Sequence, residues 1–389
     1  MGERLTARFD LPVAYDVVFT RRVFSGDNPD LARSLEPRAA GAPPRALFVL
    51  DDGLMDARPG FLGEIRAWAD AHGVELAGEP LVIPGGETCK NNPRWVERLR
   101  DAIAERGVCR RSYVVAVGGG AVLDCAGYAA ATAHRGVRHV RVPTTTLSQA
   151  DSAVGVKNGV NAAGVKNFLG CFSPPDAVVV DPDLLATLTD RDWRAGVAEA
   201  VKVALLKDPA FFEWIEANAG RLAGRDLGAM ERLIRRSAAL HLSHIAEGGD
   251  PFERGASRPL DFGHWAAHRL ETLSGFGLNH GEAVAVGLVL DLAYSVRAGM
   301  LDEAVAERVW ATLDAVGFTL DSPLLTDGAG GLHPGLLRGL DDFREHLGGE
   351  LTIMLLSEIG RGVEVHAMDP GLIEAAAGAL RARAAGVPA

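Results

Sequence analysis

Residues 114–131 read VVAVGGGAVLDCAGYAAA, in which a short apolar strand pattern passes through three glycines into a helix pattern. Glycine lets a ligand approach the backbone closely, and the first turn of a helix favours negative charge. The passage is therefore suited to binding a pyrophosphate. It lacks the GxGxxG fingerprint of dinucleotide-binding proteins, so a glycine turn with a purely structural purpose is an equal alternative for this passage taken alone.

Strand and helix patterns alternate around this passage. The predicted strands are 15–20, 46–50, 81–83, 113–117, 137–142 and 177–180, and the predicted helices include 59–72 and 95–106. This alternation predicts an α/β domain of the Rossmann type, with a parallel sheet and a ligand site at the carboxyl ends of its strands. The sequences PGGE (84–87) and PTTT (143–146) follow two further strands, which favours a ligand site over a structural turn.

After about residue 187 the strand patterns nearly vanish. The predicted helices are 193–207, 210–219, 229–246, 264–273, 281–297 and 302–316, with a late strand pattern at 351–356. We therefore expect an α/β domain at residues 1–187 and a helical domain at 188–389. A small-molecule site would lie in the cleft between them.

Composition excludes several classes of partner. The 389 residues are 48% hydrophobic and 23% charged, as in ordinary globular proteins. A net charge of −11 argues against nucleic acid or an anionic membrane surface as partner. The four cysteines show no metal-binding spacing, and no apolar run is long enough to span a bilayer. These features predict a cytoplasmic protein with free thiols.

Residues 151–167 read DSAVGVKNGVNAAGVKN and hold two of only five lysines in the chain. A compact, rotatable ammonium group differs from the planar guanidinium that dominates the basic residues here. The stretch therefore predicts a glycine-rich loop that binds a charged ligand. The alternative is a solvated loop that carries two lysines without function.

A metal site is predicted in the helical part. His264 and His268 are spaced i, i+4 on one helix, His280 follows in LNHGE, and Glu199 shares a helix face with Lys202. Imidazoles with one carboxylate are typical of catalytic sites for zinc-like ions. Spacing leaves open which histidines are ligands, and the i, i+4 pair is the simplest choice. Hydrogen-bonded interior histidines are the alternative.

Several collinear motifs, over roughly residues 45–365, resemble those of the sugar phosphate cyclases, the family of 3-dehydroquinate synthase. They are VGGGAVLDCAGYAAATAHRGVRHVRVPTTTLSQADSAVGVKNGV, GVKNFLG, AEAVK, FGHWAAH and NHGEAVAVG. The resemblance implies an NAD-binding α/β domain, a helical metal-binding domain, one Zn²⁺ or Co²⁺ ion, tightly bound NAD and a homodimer. It also implies a phosphorylated sugar substrate and a lyase reaction: oxidation, β-elimination of phosphate, reduction and aldol ring closure.

The resemblance assigns roles to individual residues. It implies that the metal ligands are Glu199, His264 and His280, and that His268 is a substrate or proton-transfer residue. The residues that match NAD contacts are Asp51, Glu87, Lys90, Gly119, Gly120, Asp124, Thr144, Thr145, Leu184, Thr187 and Leu188.

The same resemblance identifies candidate substrate and phosphate contacts. They are Asp151, Lys157, Lys166, Asn167 and Lys202. Arg135 matches an arginine that reaches the phosphate from the neighbouring subunit. Arg344 stands where the family commonly has a lysine.

One end of the implied substrate pocket departs from the dehydroquinate pattern. Asp261 occupies the place of an asparagine that holds the substrate carboxylate, and the family's lysine position falls near Ser243 or His244. No lysine follows Lys207, and Arg258 is one residue away from the family's arginine position. A carboxylate facing a substrate carboxylate is repulsive by several kcal/mol in a partly desolvated site.

Asp261 can instead accept hydrogen bonds from the hydroxyls of a neutral polyol. Together with His268, it favours a sedoheptulose 7-phosphate cyclase of the 2-epi-valiolone synthase type rather than the 2-epi-5-epi type. In the first alternative, Asp261 faces solvent or Arg258 and the enzyme makes dehydroquinate. The second alternative is a metal-dependent polyol dehydrogenase, which needs no cluster of phosphate-binding lysines.

Overall fold

The computed structural model describes residues 4–9, 11–248, 252, 260–327, 329–346 and 349–385. In chain order the strands are β1 (Asp16–Phe19), β2 (Arg45–Asp51), β3 (Glu75–Leu76), β4 (Leu81–Ile83), β5 (Tyr113–Gly118), β6 (Arg138–Pro143), β7 (Lys157–Ala162), β8 (Val165–Phe172), β9 (Ala177–Val180), β10 (Ile353–Glu358) and β11 (Arg361–Val365).

Helices lie between these strands and make up most of the later part of the chain. They are α1 (Asp30–Arg33), α2 (Asp52–Ala57), α3 (Phe61–His72), α4 (Glu87–Lys90), α5 (Arg94–Glu105), α6 (Gly120–Thr132), α7 (Asp190–Lys207), α8 (Pro209–Ala223), α9 (Leu227–Glu247), α10 (His264–Leu273), α11 (His280–Arg297), α12 (Glu303–Val316), α13 (Pro334–His346) and α14 (Pro370–Ala384).

A parallel sheet organises the first part of the chain. Its order is β1-β9-β6-β5-β2-β3, and β4 also pairs with β2. Strand β5 is buried along its whole length because helices cover both faces of the sheet, as is usual for parallel sheets. Val115 and Val117 face the core that contains Trp68, whereas Val114 and Ala116 face the core shared with the later helices. The predicted α/β class is confirmed.

The polar strand ends meet at one edge of the sheet, as the sequence predicts. Leu50 lies opposite Val117 in the register of β2 and β5, and Gly118 lies opposite Pro143 in that of β5 and β6. Asp51 lies opposite Ile83, the last residue of β4. The glycine turn, PGGE and PTTT therefore follow neighbouring strands at the same edge.

The prediction of a loop at residues 151–167 is wrong. A π-helix spans Ser148–Ser152, and β7 and β8 then form an antiparallel hairpin. Ala163 (φ 52°) and Gly164 (φ 76°) connect the two strands, and two positive φ angles are what a tight hairpin turn of type I′ requires. Sequence patterns missed this hairpin because the outer face of β8 is exposed and the strand lacks apolar and polar alternation.

A buried arginine holds the start of the hairpin. The Arg141 side chain is 0% exposed. It donates from Nη1 to the carbonyls of Ala153 (2.9 Å) and Gly155 (2.6 Å), and from Nη2 to the Lys157 carbonyl (3.0 Å) and Asn158 Oδ1 (2.7 Å). One guanidinium therefore fixes the segment that joins the π-helix to β7.

The helices predicted after residue 187 are confirmed, with ends shifted by a few residues. Helix α10 has the predicted bounds. Helices α13 and α14 were not predicted, although Asp369 before Pro370 is a recognisable helix start because proline suits the first helical position. Among the described residues, no helix combines the length and the apolar character needed to cross a bilayer.

Replacing Arg141 with methionine should loosen the hairpin, because it leaves four buried acceptors without their donor. We expect faster amide hydrogen exchange across 157–172 and a loss of about 1–3 kcal/mol in unfolding free energy. Arg138→Met on the same strand is the matched control, since Arg138 pairs with the exposed Glu36. Unchanged hairpin exchange in Arg141→Met would contradict this role.

Candidate active site

Three helices bring the predicted metal ligands together. Glu199 comes from α7, and His264 and His280 are the first residues of α10 and α11. Their ligand atoms all lie within 4.8 Å of one another. Glu199 Oε1 is 3.0 Å from His280 Nε2 and 3.3 Å from His264 Nε2.

Close helix packing sets this convergence. A Cβ at Gly281 would lie 2.3 Å from the Ala195 carbonyl oxygen, so α11 can approach α7 only with glycine there. Asn279 and Glu282 form a capping box at the start of α11. Glu282 also accepts hydrogen bonds from Arg191 on α7. The start of α11 is thereby fixed against the helix that carries Glu199.

The hydrogen bonds of the two imidazoles show that the cluster fits a divalent ion. His264 Nδ1 is 3.0 Å from the Phe262 carbonyl oxygen, and His280 Nδ1 is 3.0 Å from Glu271 Oε2. Both partners only accept, so each Nδ1 carries hydrogen and Nε2 is the ring nitrogen that each imidazole turns toward Glu199. Two imidazole nitrogens and a carboxylate oxygen that converge in this way suit Zn²⁺ or Co²⁺.

The cluster is strongly charged and buried. Burial alone would raise the pKa of Glu199, but the ammonium of Lys202 and the imidazole of His264 lower that pKa well below its usual range. Lys202 Nζ lies 2.5 Å from Glu199 Oε2. Burial opposes the charged form of His280, yet the Glu271 carboxylate outweighs it and raises the pKa of His280 to about 9.

Glu271 is a site residue that sequence reasoning missed. Its Oε1 is 2.6 Å from Lys166 Nζ on the hairpin, and its Oε2 contacts His280. Burial raises the pKa of Glu271, but His280 and Lys166 lower it far more. Glu271 lies two turns after His264 on the same helix face, and this spacing could have revealed it.

His268 belongs to the same cluster of rings but not to the first group of ligand atoms. Its ring centroid is 5.3 Å from that of His264 and 5.8 Å from that of His280. His268, Glu271 and His280 form a second group of potential ligand atoms, in which Lys166 pairs with Glu271 as Lys202 pairs with Glu199 in the first group. Burial and the nearby His264 lower the pKa of His268 well below its usual value, so its imidazole is neutral.

A second residue that sequence reasoning missed is His241 on α9, which contacts the predicted site residue Asp151. His241 Nδ1 lies 2.9 Å from Asp151 Oδ1. Burial alone would raise the pKa of Asp151, but His241 lowers it. The family's lysine position was expected near Ser243 or His244, one turn later, whereas the structure turns His241 toward Asp151.

Asp261 acts on the same pocket. Burial lowers the pKa of Lys202, but the charges of Glu199, Asp151 and Asp261 raise it above its usual value. The Asp261 carbonyl also accepts the backbone N–H of His264 at 3.0 Å. The expected alternative partner, Arg258, lies outside the described residues.

The candidate cofactor residues line the polar edge of the sheet. Asp51 accepts from Gly119 N at 3.3 Å, and Lys90 Nζ lies 2.7 Å from Asp124 Oδ2. Lys90 also donates to Asn167 on the hairpin. Burial raises the pKa of Asp51. The edge of the sheet and the hairpin are therefore joined by a buried ammonium group.

The glycine turn has a packing role of its own. A Cβ at Gly120 would lie 2.6 Å from Ser152 Oγ, and one at Gly119 would lie 3.2 Å from Thr145 Cγ2. Glycine at these positions therefore helps the π-helix to approach closely, and this packing role is compatible with a ligand at the same edge.

Other candidate cofactor residues surround this turn. Glu87 accepts from Asn161 of the hairpin at 2.7 Å, and Thr144 is buried beside the end of β6. The Leu184 side chain lies in the sheet core at 1% exposure, whereas Thr187 and Leu188 are half-buried. Leu184 can therefore approach a ligand at this edge only through its backbone.

Three predicted residues are exposed and are not among the ligand atoms that converge on Glu199. Lys157 is exposed at the start of β7. Arg135 is exposed beyond the far end of the 13-residue helix α6, roughly 20 Å from the strand ends. Arg344 pairs with Asp341 at 2.8 Å on α13. It follows Phe343, whose ring centroid is 6.2 Å from that of His268.

Comparison with known proteins identifies the family. The family model described as 3-dehydroquinate synthase N-terminal matches residues 80–195, and that described as 3-dehydroquinate synthase C-terminal matches 196–329. The 3-dehydroquinate synthase of Ruegeria sp. (strain TM1040) is 38% identical over 89% of this chain and 90% of its own length. The chain belongs to the sugar phosphate cyclase superfamily.

Relatives within this superfamily differ in their named reactions. The 3-dehydroquinate synthase of Nitrosospira multiformis is 40% identical over 81% of this chain and 83% of its own. ValA, the 2-epi-5-epi-valiolone synthase of Streptomyces hygroscopicus subsp. jinggangensis, was solved with NAD⁺ and Zn²⁺. It matches with a TM-score of 0.87 and 31% identity over 98% of this chain and 99% of its own.

A 2-deoxy-scyllo-inosose synthase solved with carbaglucose-6-phosphate, NAD⁺ and Co²⁺ also matches. Its TM-score is 0.75, with 25% identity over 93% of this chain and 95% of its own. The predicted two-part fold of the sugar phosphate cyclase superfamily is confirmed, and this chain is an enzyme of that superfamily.

The ligand set can be tested by metal content after dialysis. We expect wild type and His268→Gln to retain about one Zn²⁺ or Co²⁺ per chain, and Glu199→Gln and His280→Gln to lose it. His268→Gln is the matched control because it removes a neighbouring imidazole from the same ring cluster. Retention by His280→Gln would contradict the assignment.

Proposed function

We propose that this chain is an NAD- and divalent-metal-dependent lyase that converts sedoheptulose 7-phosphate to a C7 carbocycle of the 2-epi-valiolone type, with release of phosphate. The observation that carries the choice of sugar is the negative charge of Asp261 beside Lys202 and Asp151. Likeness over 98% of the chain to ValA, a 2-epi-5-epi-valiolone synthase, supports a valiolone-forming reaction. The choice of the 2-epi-valiolone type rests on His268 and Asp261.

The cofactors follow from the fit of the site and from the ligands of the related structures. We assign Zn²⁺ or Co²⁺ to Glu199, His264 and His280 in the helical part (188–389), and NAD to the polar sheet edge of the α/β part (1–187). When bound, NAD supplies reversible hydride acceptance and the metal supplies Lewis acidity. The chain's own side chains must bind the sugar phosphate, orient it and move its protons.

We assign the phosphate group of the substrate to the cationic side chains of the cluster. Lys166 and Lys202 are held by Glu271 and Glu199 respectively, so both ammonium groups are already in place before an anion arrives. Asn167 adds an amide next to Lys166 on β8. His268, which is neutral, can accept a proton from the substrate and return it.

We assign the polyol end of the sugar to the acidic side chains of the site. Asp261 and Asp151 offer carboxylate oxygens that accept from hydroxyls, and His241 adds one ring nitrogen. Acceptor oxygens of this kind suit the hydroxyl groups of a neutral heptulose end.

3-Dehydroquinate synthase is the second candidate, because relatives of that name are 38–40% identical to this chain. A polyol dehydrogenase is the third, and the two lysines held at the metal cluster speak against it, since a simple alcohol needs no phosphate contacts. Assays separate the three by their products.

We propose a homodimer in which Arg135 serves the neighbouring site. Arg135 is exposed and far from its own chain's cluster. The hairpin also exposes four large apolar side chains of the kind that a second copy would cover. They are Val165 (48%), Phe168 (59%), Leu169 (44%) and Phe172 (47%).

Phosphate release from purified protein with NAD and Co²⁺ tests the substrate. We expect release from sedoheptulose 7-phosphate and a C7 carbocycle by mass spectrometry, because the pocket suits a neutral end. Release only from the carboxylated heptulosonate phosphate would establish the dehydroquinate reaction. Accumulation of NADH without phosphate would establish a dehydrogenase.

Substitutions at the acidic end should shift the preference between the two sugars. We expect Asp261→Asn combined with His241→Lys to raise the ratio of kcat/KM for the carboxylated substrate over sedoheptulose 7-phosphate by at least about tenfold, because repulsion is replaced by attraction. Asp314→Asn on the exposed face of α12 is the control. An unchanged ratio would remove Asp261 and His241 from substrate discrimination.

A further inference from the structure

Asp291 is a buried carboxylate that none of the steps above uses. It lies on α11 and is 0% exposed. Among the described residues, no lysine, arginine or histidine nitrogen forms an ion pair with it. A buried charge without a cation is costly unless hydrogen bonds satisfy it, so its retention calls for a specific role.

Both oxygens of Asp291 are engaged by the neighbours of one metal-ligand candidate. Oδ2 accepts from the backbone N–H of Gly263 at 2.9 Å, and Oδ1 accepts from the indole Nε1–H of Trp265 at 2.8 Å. These two residues flank His264 in sequence. The carboxylate thus forms one hydrogen bond to the residue before His264 and one to the residue after it.

The geometry of α11 explains why Asp291 reaches this turn. Asp291 follows His280 by three helical turns, so both lie on the same face of α11, about 16 Å apart along its axis. Gly287 lies on that face between them, and a Cβ there would be 2.1 Å from the Gly263 carbonyl oxygen. One face of α11 therefore carries the ligand candidate His280 and also Asp291, which supports the ligand candidate His264.

The start of α10 needs this outside support. Its N-cap residue, Gly263, has a left-handed φ of 76° and no side chain to accept the free N–H groups of the first turn. A carboxylate near a helix N-terminus is favourable because of the helix dipole. Asp291 supplies it from a different helix.

We propose that Asp291 is a positioning residue for the metal ligand His264, acting through Gly263 and Trp265. The proposal rests on the metal site proposed above. Supports of this kind fix the orientation of a ligand ring, and their loss typically lowers metal affinity about 10–100-fold. Asp291 has a second effect of the same kind, since it ties the ligand turn of α10 to the helix that begins with His280.

The test measures metal binding to the full chain. Zn²⁺ affinity is determined by competition with a chromophoric chelator, and the visible d–d absorption of the Co²⁺ form reports ligand geometry. We expect Asp291→Asn to weaken Zn²⁺ binding about 10–100-fold and to change the Co²⁺ spectrum. Trp265→Phe keeps the ring packing but removes one donor, and should weaken binding less.

A matched control separates positioning from general stability. Asp321 is a partly buried carboxylate in the segment between α12 and α13, and its Oδ2 lies 2.6 Å from Arg381 Nη1, outside the metal cluster. Asp321→Asn should lower Tm without changing Zn²⁺ affinity or the Co²⁺ spectrum. In the variant Asp291→Asn/Trp265→Phe, the second change should add little, because its partner is already lost.

The outcomes distinguish this proposal from the metal site itself. If wild type binds neither ion, or if His264→Ala binds as well as wild type, the metal site is wrong. If wild type binds and His264→Ala does not, but Asp291→Asn and Trp265→Phe keep wild-type affinity and spectrum, only the role of Asp291 is overturned. A Tm loss in Asp291→Asn with unchanged binding would likewise show a purely structural role.

Discussion

The site depends on keeping the carboxylate of Glu199 charged where water does not reach it. Glu199 is 0% exposed, and removing such an ion from water costs several kcal/mol in effective terms. Lys202, His280 and His264 offset that cost at 2.5, 3.0 and 3.3 Å. Since these partners come from α7, α11 and α10, the three helices cannot slide past one another without leaving a buried charge uncompensated.

A series of ion pairs connects this carboxylate to the α/β part of the chain. His280 faces Glu271, Glu271 faces Lys166 of the hairpin, and Lys166 lies 3.5 Å from Glu87 near the sheet edge. Charges alternate in sign along this path, so each group stabilises the charged form of the next. A phosphate with nearly two negative charges can compete with Glu271 for Lys166, whereas a neutral sugar cannot. We infer that this competition contributes to selecting phosphorylated substrates.

Sequence patterns predicted the elements that are specified by residues close together in the chain. The apolar strands with polar ends, and the helix at 264–273, were predicted because periodicity and turn residues specify them directly. The hairpin at 157–172 was missed because a buried arginine and a tight turn hold it, rather than an apolar face. His241 was missed because its role comes from a tertiary contact with Asp151, which spacing along the chain does not encode. Glu271 was missed although its place on the same helix face as His264 was a usable signal.

The same reasoning explains why overall identity does not decide the sugar. Identity over most of the chain reflects the sheet, the helix packing and the charged cluster, which any member of the superfamily needs in order to hold the same groups. Discrimination between a neutral and a carboxylated end depends on a few side chains, which we propose to be Asp261, Asp151 and His241. In a partly desolvated pocket one like-charge contact is worth several kcal/mol. A single carboxylate can therefore reverse the preference that relatives at 38–40% identity would suggest.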